Sequence, residues 1–231
     1  MNALSRYVEP TEFFDRNSDE VQGFARACTR SSSDAKARAV DLFYAVRDGI
    51  HYEIYGMDLR RPEMRASAVL RQGRGFCLHK AIVYVASARA LGIPARIALS
   101  DVRNHLSTAR LRKLIGGDVF HFHGYAEVWL GDRWIKTTPV FNLVLCKLFG
   151  MQPLEFDGTG DAVLQPYDSD GLRHMEFLRH HGSFAEFPYE LCVDGLRQHH
   201  PALFSGARTT HAGSLTREHR SEMTIDVYGE R

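Results

Sequence analysis

With 231 residues and 44% apolar content, the chain is long enough to bury one hydrophobic core, and we expect one domain. Its 29 Lys and Arg residues balance 28 Asp and Glu residues, so the net charge of +1 gives no electrostatic basis for binding nucleic acid or an anionic membrane surface. No run of about eighteen apolar residues is present for a membrane span, and the first twenty residues lack the apolar segment of a secretion signal. We therefore expect a cytoplasmic protein with a small or neutral partner, whose four cysteines, without CxxC spacing, are reduced thiols.

Helices are predicted in the first half of the chain. In residues 32–49, SSDAKARAVDLFYAVRDG, apolar residues recur with helical spacing between a Ser-Asp start and a glycine stop. Residues 63–75, EMRASAVLRQGRG, predict a short helix that leads into a loop. After Cys77 an apolar stripe continues until Gly92 and Pro94, which are stop signals, so this helix is about fourteen residues long.

Strands follow in the middle of the chain. Residues 95–101, ARIALSD, have strand character, and residues 102–118 are interpreted as a basic, irregular connection whose residues 103–113 could gate access to a site. The clearest strand pair is VFHFHGYAEVWL and RWIKTTPVFN, joined by Gly131-Asp132. A two-residue turn there fixes the register, which predicts these opposite pairs: Leu130 with Arg133, Trp129 with Trp134, Glu127 with Lys136, and His123 with Val140.

The chain after residue 142 contains two segments of different composition. Residues 143–204 contain too many aromatic residues for a linker, and we expect them to pack on the core motifs in a single domain spanning residues 1–204. Residues 205–231 are polar, which predicts a tail that adds nothing to the core.

Cys77 stands at the start of a predicted helix, where free N–H groups and the helix dipole favour a thiolate over a thiol. Gly73 and Gly75 allow a close backbone approach and leave space over the sulfur, so a substrate carbonyl could enter and the helix-start amides could receive its negative charge. A nucleophilic thiol also needs a base, and His123 on the polar face of the hairpin is the candidate. The alternative is a packing role, because free cysteine is among the most buried residue types.

Two stretches together resemble a known family: GRGFCLHKAIVYVASARALGIPAR, residues 73–96, and HGYAEVWLGDRWIKTTPVFN, residues 123–142. They are similar to the transglutaminase-like superfamily, in which a Gly-x-Cys at a helix start precedes a His-x-x-x-Glu strand, a turn and a Trp-containing strand ending in Asp-Pro. The lead-in segments AKARAVDLFYAVRDGIHYE and ASAVLRQGRG also match, so the resemblance covers about residues 36–142.

The resemblance implies an α+β, papain-like fold in which the nucleophile helix packs on an antiparallel sheet that carries the base. It also implies thiol acyl chemistry, namely transglutamination, amide hydrolysis, deamidation or peptide cleavage, with Cys77 as the nucleophile and His123 as the base. The substrate would be a peptide or a small amide, and the chemistry requires no cofactor or metal.

The third family position departs from the pattern, because Thr138 stands where the family has Asp. In the predicted register Thr138 and Asn142 are both diagonal neighbours of His123, at roughly 7–8 Å between Cα atoms, and either side chain could orient the imidazole. Thr138 is preferred by position, although a neutral hydroxyl stabilises an imidazolium less well than a carboxylate. Asp118 or Asp157, each from another loop, could fill the place instead.

Zinc binding and packing are the competing interpretations of the histidines and cysteines. Zinc would use Cys77, His79, His121 and His123, but neighbouring residues at a helix start point in diverging directions. His79 and His121 are more simply cleft-lining or surface residues, and the histidine pairs at 180–181 and 199–200 are expected to be solvated. Cys28, Cys146 and Cys192 are expected to be packing residues.

The sequence therefore predicts a thiol-dependent amide hydrolase or acyltransferase that acts through a Cys-His site. The alternative is a catalytically weak or inactive transglutaminase-like protein that binds or scaffolds, which the missing Asp favours.

Overall fold

The structure, a computed structural model, describes residues 4–32, 34–105, 107–163 and 175–204. The predicted tail, residues 205–231, lies outside the described residues. Within the described part the α-helices are α1 (Asp19–Cys28), α2 (Ala35–Gly49), α3 (Ala66–Gln72), α4 (Cys77–Ala90), α5 (Ala109–Ile115), α6 (Leu143–Leu148) and α7 (Tyr189–His199). The strands are β1 (His51–Tyr52), β2 (Arg74–Gly75), β3 (Ala95–Asn104), β4 (Val119–Leu130), β5 (Arg133–Thr137) and β6 (Met175–Phe184).

The four longer strands form one antiparallel sheet in the order β5-β4-β3-β6, and β1 pairs with β2 in parallel. Helix α4 contacts β3 and β4 of that sheet and also α1, α2 and α3. The predicted α+β class, with the helix that begins at Cys77 packed on an antiparallel sheet, is confirmed. None of the described helices has the length and apolar character that crossing a membrane requires.

Helix α4 lies at the centre of the molecule. It has the predicted fourteen residues, and Gly92 follows it with a φ of +76°. The sequence predicts one apolar stripe, but the helix is buried on all sides, and backbone carbonyls accept hydrogen bonds from its two buried cations, Lys80 and Arg89. Lys80, for example, donates to the carbonyl oxygens of Arg47 and Ile50 at 2.8 and 2.6 Å.

The hairpin of β4 and β5 has the predicted register near its turn: Leu130 pairs with Arg133, Trp129 with Trp134 and Glu127 with Lys136. Gly131 has a φ of +68°, which the first central position of this turn requires. The predicted charge pair is different, because Arg96 of β3 binds the carboxylate of Glu127 at 2.5 Å. Arg96 lies directly opposite Glu127 across β3 and β4, as Lys136 does across β4 and β5.

The connection between β3 and β4 is more regular than the sequence predicts. Residues 102–104 continue β3, and α5 follows with Thr108 as its N-cap, whose side chain accepts the N–H of Leu111 at 3.1 Å. Strand pairing with both β4 and β6 extends β3 beyond the point where the hydrophobic alternation ends.

Candidate active site

Cys77 is the first residue of α4, as predicted, and it is only 2% exposed. The preceding Phe76 is extended and offers no side-chain cap, so the amides of the first turn remain free for another acceptor. The backbone N–H groups of Cys77 and Leu78 lie against the sulfur and favour its negatively charged form.

A third N–H group reaches the sulfur from β4, at Gly124. In a two-residue hairpin the pair beside the turn exchanges both hydrogen bonds, and so does every second pair after it. The last such pair is Ala126 with Thr137, where β5 ends. The N–H of Gly124 therefore points to the side that β5 has left, and Cys77 takes the place of the missing strand at this edge of the sheet.

The close approach of α4 to β4 requires glycine at position 124. A Cβ atom there would lie 3.2 Å from the Cα of Leu78 and 2.6 Å from its Cδ2. Gly124 thus lies on the face of β4 that packs on α4, and it directly follows His123 in the chain.

The ionisation state of Cys77 differs from the sequence-based prediction. Burial raises the pKa of the thiol to about 12, and the three N–H groups only oppose this shift. Part of the burial comes from α7, whose Cys192 lies near enough to Cys77 for a charge on that sulfur to raise the pKa of Cys192. The predicted effect of the helix start is present, since its N–H groups lower the pKa, but desolvation outweighs it and the thiol stays neutral at pH 7.

His123 is 4% exposed and lies opposite Ser100 of β3. Since Gly124 faces α4, strand alternation places the His123 side chain on the other face with Tyr125, and both rings contact Phe177 in T-shaped arrangements. Burial lowers the pKa of His123 to about 4. Within the described residues its Nε2 has no hydrogen-bond partner, and no hydrogen bond joins it to Cys77.

Thr138 and Asn142 are not held near His123 by the predicted strand register. Beyond Thr137 the chain leaves β4, and the N–H of Thr138 donates to the carbonyl of Ala162 at 2.8 Å. The predicted pairing of His123 with Val140 is therefore wrong. The hydroxyl of Thr138 is buried and, in the part of the chain that is described, has no hydrogen-bond partner.

Asn142 has a structural role instead. Its Oδ1 accepts the N–H of Tyr52 at 2.6 Å, and its Nδ2 donates to the carbonyls of Ile50, at 2.9 Å, and Arg47. Both amide hydrogens are thus engaged at the end of α2, which leaves none for an imidazole.

The two alternative carboxylates have other partners. Asp118 forms an ion pair with Arg103 at 3.3 Å, and Asp157 accepts the N–H and the hydroxyl of Thr159, each at 2.8 Å. None of the hydrogen bonds described for either residue reaches His123.

The other histidines differ from the sequence-based prediction. His79 is fully buried rather than cleft-lining, and burial lowers its pKa to about 4. Asp58 lies near enough to oppose that shift, although among the described residues neither ring nitrogen has a hydrogen-bond partner of good geometry. His200 is also fully buried rather than solvated, since its Nδ1 donates to the carbonyl of Ile115 at 2.6 Å and its Nε2 accepts the N–H of His121 at 2.9 Å.

No group of three or more His, Cys, Asp or Glu residues in the described ranges is arranged to hold a metal ion. The four residues of the zinc interpretation are instead dispersed. His79 is enclosed beside Phe76, whereas His121 Nδ1 lies 3.1 Å from the Oδ2 of Asp101.

The structure also shows a group of residues that the sequence analysis missed, around Asp101 and Phe122. Asp101 lies between His121 and His181 and accepts the backbone N–H of Phe122. The sequence signals this group only weakly. Its histidines belong to pairs in three separate segments, around residues 121, 180 and 199, and nothing in the sequence shows that these segments meet.

Comparison with known proteins places the chain in a family. The profile of the transglutaminase-like superfamily matches residues 22–139, which are 118 of the 231 residues. The chain belongs to this superfamily, and its Gly-x-Cys helix start and His123 strand both lie within the matched region. No curated protein matches the chain.

Two solved structures are similar to this chain. One is a "putative cysteine protease" from Cytophaga hutchinsonii, with 15% identity, a TM-score of 0.47, and coverage of 80% of this chain and 55% of that chain. The other is a "putative protease" from Parabacteroides distasonis ATCC 8503, with 16% identity, a TM-score of 0.36, and coverage of 58% of this chain and 24% of that chain. The chain therefore spans about half of the first structure and a quarter of the second.

Proposed function

We propose that the protein is a thiol-dependent amide hydrolase or acyltransferase, with Cys77 as the nucleophile and His123 as the base. The observation that carries this proposal is the position of the Cys77 sulfur at the start of α4, against the N–H of Gly124, the residue that follows His123. A buried imidazole nitrogen without a partner supports it, because such a group is costly unless a reaction or a ligand uses it.

Both groups are neutral at pH 7 in this structure, since the pKa of Cys77 is about 12 and that of His123 about 4. Neutral His123 can accept a proton, so the thiol is activated by general base catalysis rather than as a preformed ion pair. The cysteine sulfur bonds to the amide carbonyl carbon as His123 takes the thiol proton. The N–H groups at the start of α4 and at Gly124 stabilise the oxyanion.

Collapse of the tetrahedral intermediate breaks the carbon–nitrogen bond, and the imidazolium gives its proton to the departing amine. The acyl group is then a thioester on Cys77. Water or a second amine attacks it while His123 takes the proton from the attacking group and returns it to the sulfur. The substrate is a peptide or a small amide, and no cofactor takes part in these steps.

A catalytically weak or inactive binding protein is the second candidate. The neutral Thr138 at the family's Asp position favours it, because its buried hydroxyl makes no hydrogen bond to His123 within the described structure. Without a charged partner the imidazolium intermediate is less stabilised than in a triad with a carboxylate.

The first prediction separates the two candidates by alkylation of Cys77. Replacing His123 with Ala is expected to slow modification of Cys77 by iodoacetamide at pH 7 at least about tenfold, because the base that accepts the thiol proton is lost. Quantitative peptide mapping measures the rate. The half-buried Cys28 of the same molecule is the internal control and is expected to react at an unchanged rate.

His51→Ala is the matched variant, since His51 is exposed on β1, and it is expected to leave both rates unchanged. Equal Cys77 rates in the wild-type and His123→Ala proteins, no faster than the rate of the buried Cys192, would favour the binding protein instead.

The second prediction concerns Thr138. Restoring a carboxylate with Thr138→Asp is expected to raise the pKa of His123 by about 1–3 units, because a nearby negative charge favours the imidazolium. NMR titration of the imidazole protons measures the shift. The control is Thr137→Asp, at an equally buried neighbour that pairs with Ala126, and it is expected to destabilise the fold without moving the pKa of His123. A folded Thr138→Asp variant with an unchanged His123 pKa would show that position 138 does not orient the base.

A further inference from the structure

Strand β4 contains a bulge immediately before His123. Ser100 pairs with His123, but the next registered pair is Val102 with Phe120, so two residues of β4 lie opposite the single residue Asp101 of β3. Phe122, inside the bulge, has a φ of +56° and is the only non-glycine residue in the described chain with a positive φ. A left-handed conformation costs an aromatic residue roughly 1–2 kcal/mol, so surrounding contacts must hold it.

The bulge determines which way His123 faces. If β4 continued the register of Val102 and Phe120 without the extra residue, His123 would pair with Leu99, on the face that packs on α4. The observed pairing is one residue later, with Ser100, and a slip of one residue moves a side chain to the other face of the sheet. The Cys77 sulfur, however, meets the N–H of Gly124 at the edge of β4 beyond the end of β5, and not under the face that packs on α4. The direction of His123 beside this edge therefore depends on the bulge.

Asp101 is the residue that holds the bulge. It is 6% exposed, and its Oδ1 accepts the N–H of Phe122 at 3.2 Å and hydrogen-bonds His181 Nε2 of β6 at 2.7 Å. Its Oδ2 lies 3.1 Å from Nδ1 of His121. These partners hold the pKa of Asp101 below its usual value although burial opposes them, so the carboxylate is charged at neutral pH.

Residues of two further elements, β6 and α7, enclose the bulge at Phe122. The ring of His181 stacks on the ring of Phe122 at 4.3 Å and 14°. On α7, Gly195 lies so close that a Cβ atom there would come within 2.0 Å of the Phe122 ring. His199 of α7 stacks on His121 at 3.9 Å. Contacts from β3, β6 and α7 together therefore hold the bulge.

We propose that Asp101 is a positioning residue for His123: its carboxylate keeps Phe122 in the bulged, left-handed conformation that turns the His123 side chain to the Ser100 face. This inference rests on the proposed role of His123 as the base. Asp101 contacts neither the sulfur nor a substrate, and its effect passes through the backbone of Phe122.

A double-mutant cycle tests the inference in the full-length protein. Asp101→Ala is expected to slow Cys77 alkylation at pH 7 to within about threefold of the His123→Ala rate, and the Asp101→Ala/His123→Ala double variant is expected to be no slower than His123→Ala alone. Such non-additivity is the sign that Asp101 acts through His123. Glu127→Gln is the matched control, since it changes another buried carboxylate of the same strand pair, bound to Arg96, and it is expected to leave the rate unchanged.

His181→Phe is the second variant, and it decides the result if Asp101→Ala fails to fold. Phenylalanine keeps a ring against Phe122 but removes the donor to Asp101, so an intermediate loss of Cys77 alkylation and a shifted His123 NMR signal are expected. An Asp101→Ala or His181→Phe protein that keeps the wild-type rate and His123 signal, while His123→Ala is slow, overturns the inference and leaves the proposed function standing. An unchanged rate in His123→Ala itself overturns both.

Discussion

Lowering the pH from 7 to 4 is expected to reduce the free energy of unfolding by about 3 kcal/mol for each of two buried histidines, His79 and His123, at 1.36 kcal/mol per pKa unit. Burial lowers the pKa of each from 6.5 to about 4. His200 has a lowered pKa for the same reason, so it adds to the loss. Together these groups account for much of the stability of a typical domain.

The direction follows from proton binding. Below pH 6.5 the unfolded chain takes up a proton at each histidine, whereas the folded chain resists protonation until about pH 4. The contribution of these histidines to the free energy of unfolding is therefore fully present above pH 6.5. It falls as the pH drops from 6.5 to about 4 and changes little below pH 4.

Urea unfolding at a series of pH values measures the effect. His79→Leu is expected to flatten the curve between pH 6.5 and 4 by about 3 kcal/mol, because the replaced side chain has no proton to bind. The control His51→Leu removes an exposed histidine and is expected to leave the slope unchanged. A His79→Leu curve parallel to that of the wild type would mean that the ring of His79 is solvated in the folded protein.

Replacing Asn142 with Ala is expected to destabilise the protein by about 2–4 kcal/mol, since a buried N–H left without an acceptor costs roughly 1–3 kcal/mol in addition to the lost hydrogen bonds. The orphaned donor is the N–H of Tyr52, which Asn142 Oδ1 accepts. The carbonyls of Arg47 and Ile50 keep a donor, because Lys80 also binds both of them. The hydrogen bonds from Lys80 therefore limit the loss of stability in Asn142→Ala.

Urea denaturation at pH 7 gives the free-energy difference, with Asn17→Ala as the control because Asn17 is exposed. The control is expected to change stability by less than about 0.5 kcal/mol. A loss below about 1 kcal/mol for Asn142→Ala would show that water replaces the amide at this junction.

Local patterns in the sequence predict much of the framework. Gly92 and Pro94 mark the end of α4, and the turn at Gly131-Asp132 sets the register of the hairpin as far as Thr137. Both features depend on residues close together in the chain, so short-range rules suffice for them. Within these elements the family pattern points to Cys77 and His123, the proposed nucleophile and base.

Contacts between distant segments account for what the sequence does not predict. Arg96 replaces Lys136 as the partner of Glu127, and Asn142 is engaged with Tyr52 rather than His123. Aromatic residues avoid positive φ, so nothing in the sequence marks Phe122 as the site of a bulge. Its conformation results from Asp101, His181 and α7.

The enclosure of Cys77 has a consequence for the chemical durability of the protein. Peroxide oxidises the thiolate rather than the thiol, and with a pKa of about 12 only roughly one molecule in 10⁵ carries that thiolate at pH 7. The half-buried Cys28 meets an oxidant in solution first. We therefore expect peroxide to oxidise Cys28 before Cys77, the proposed nucleophile.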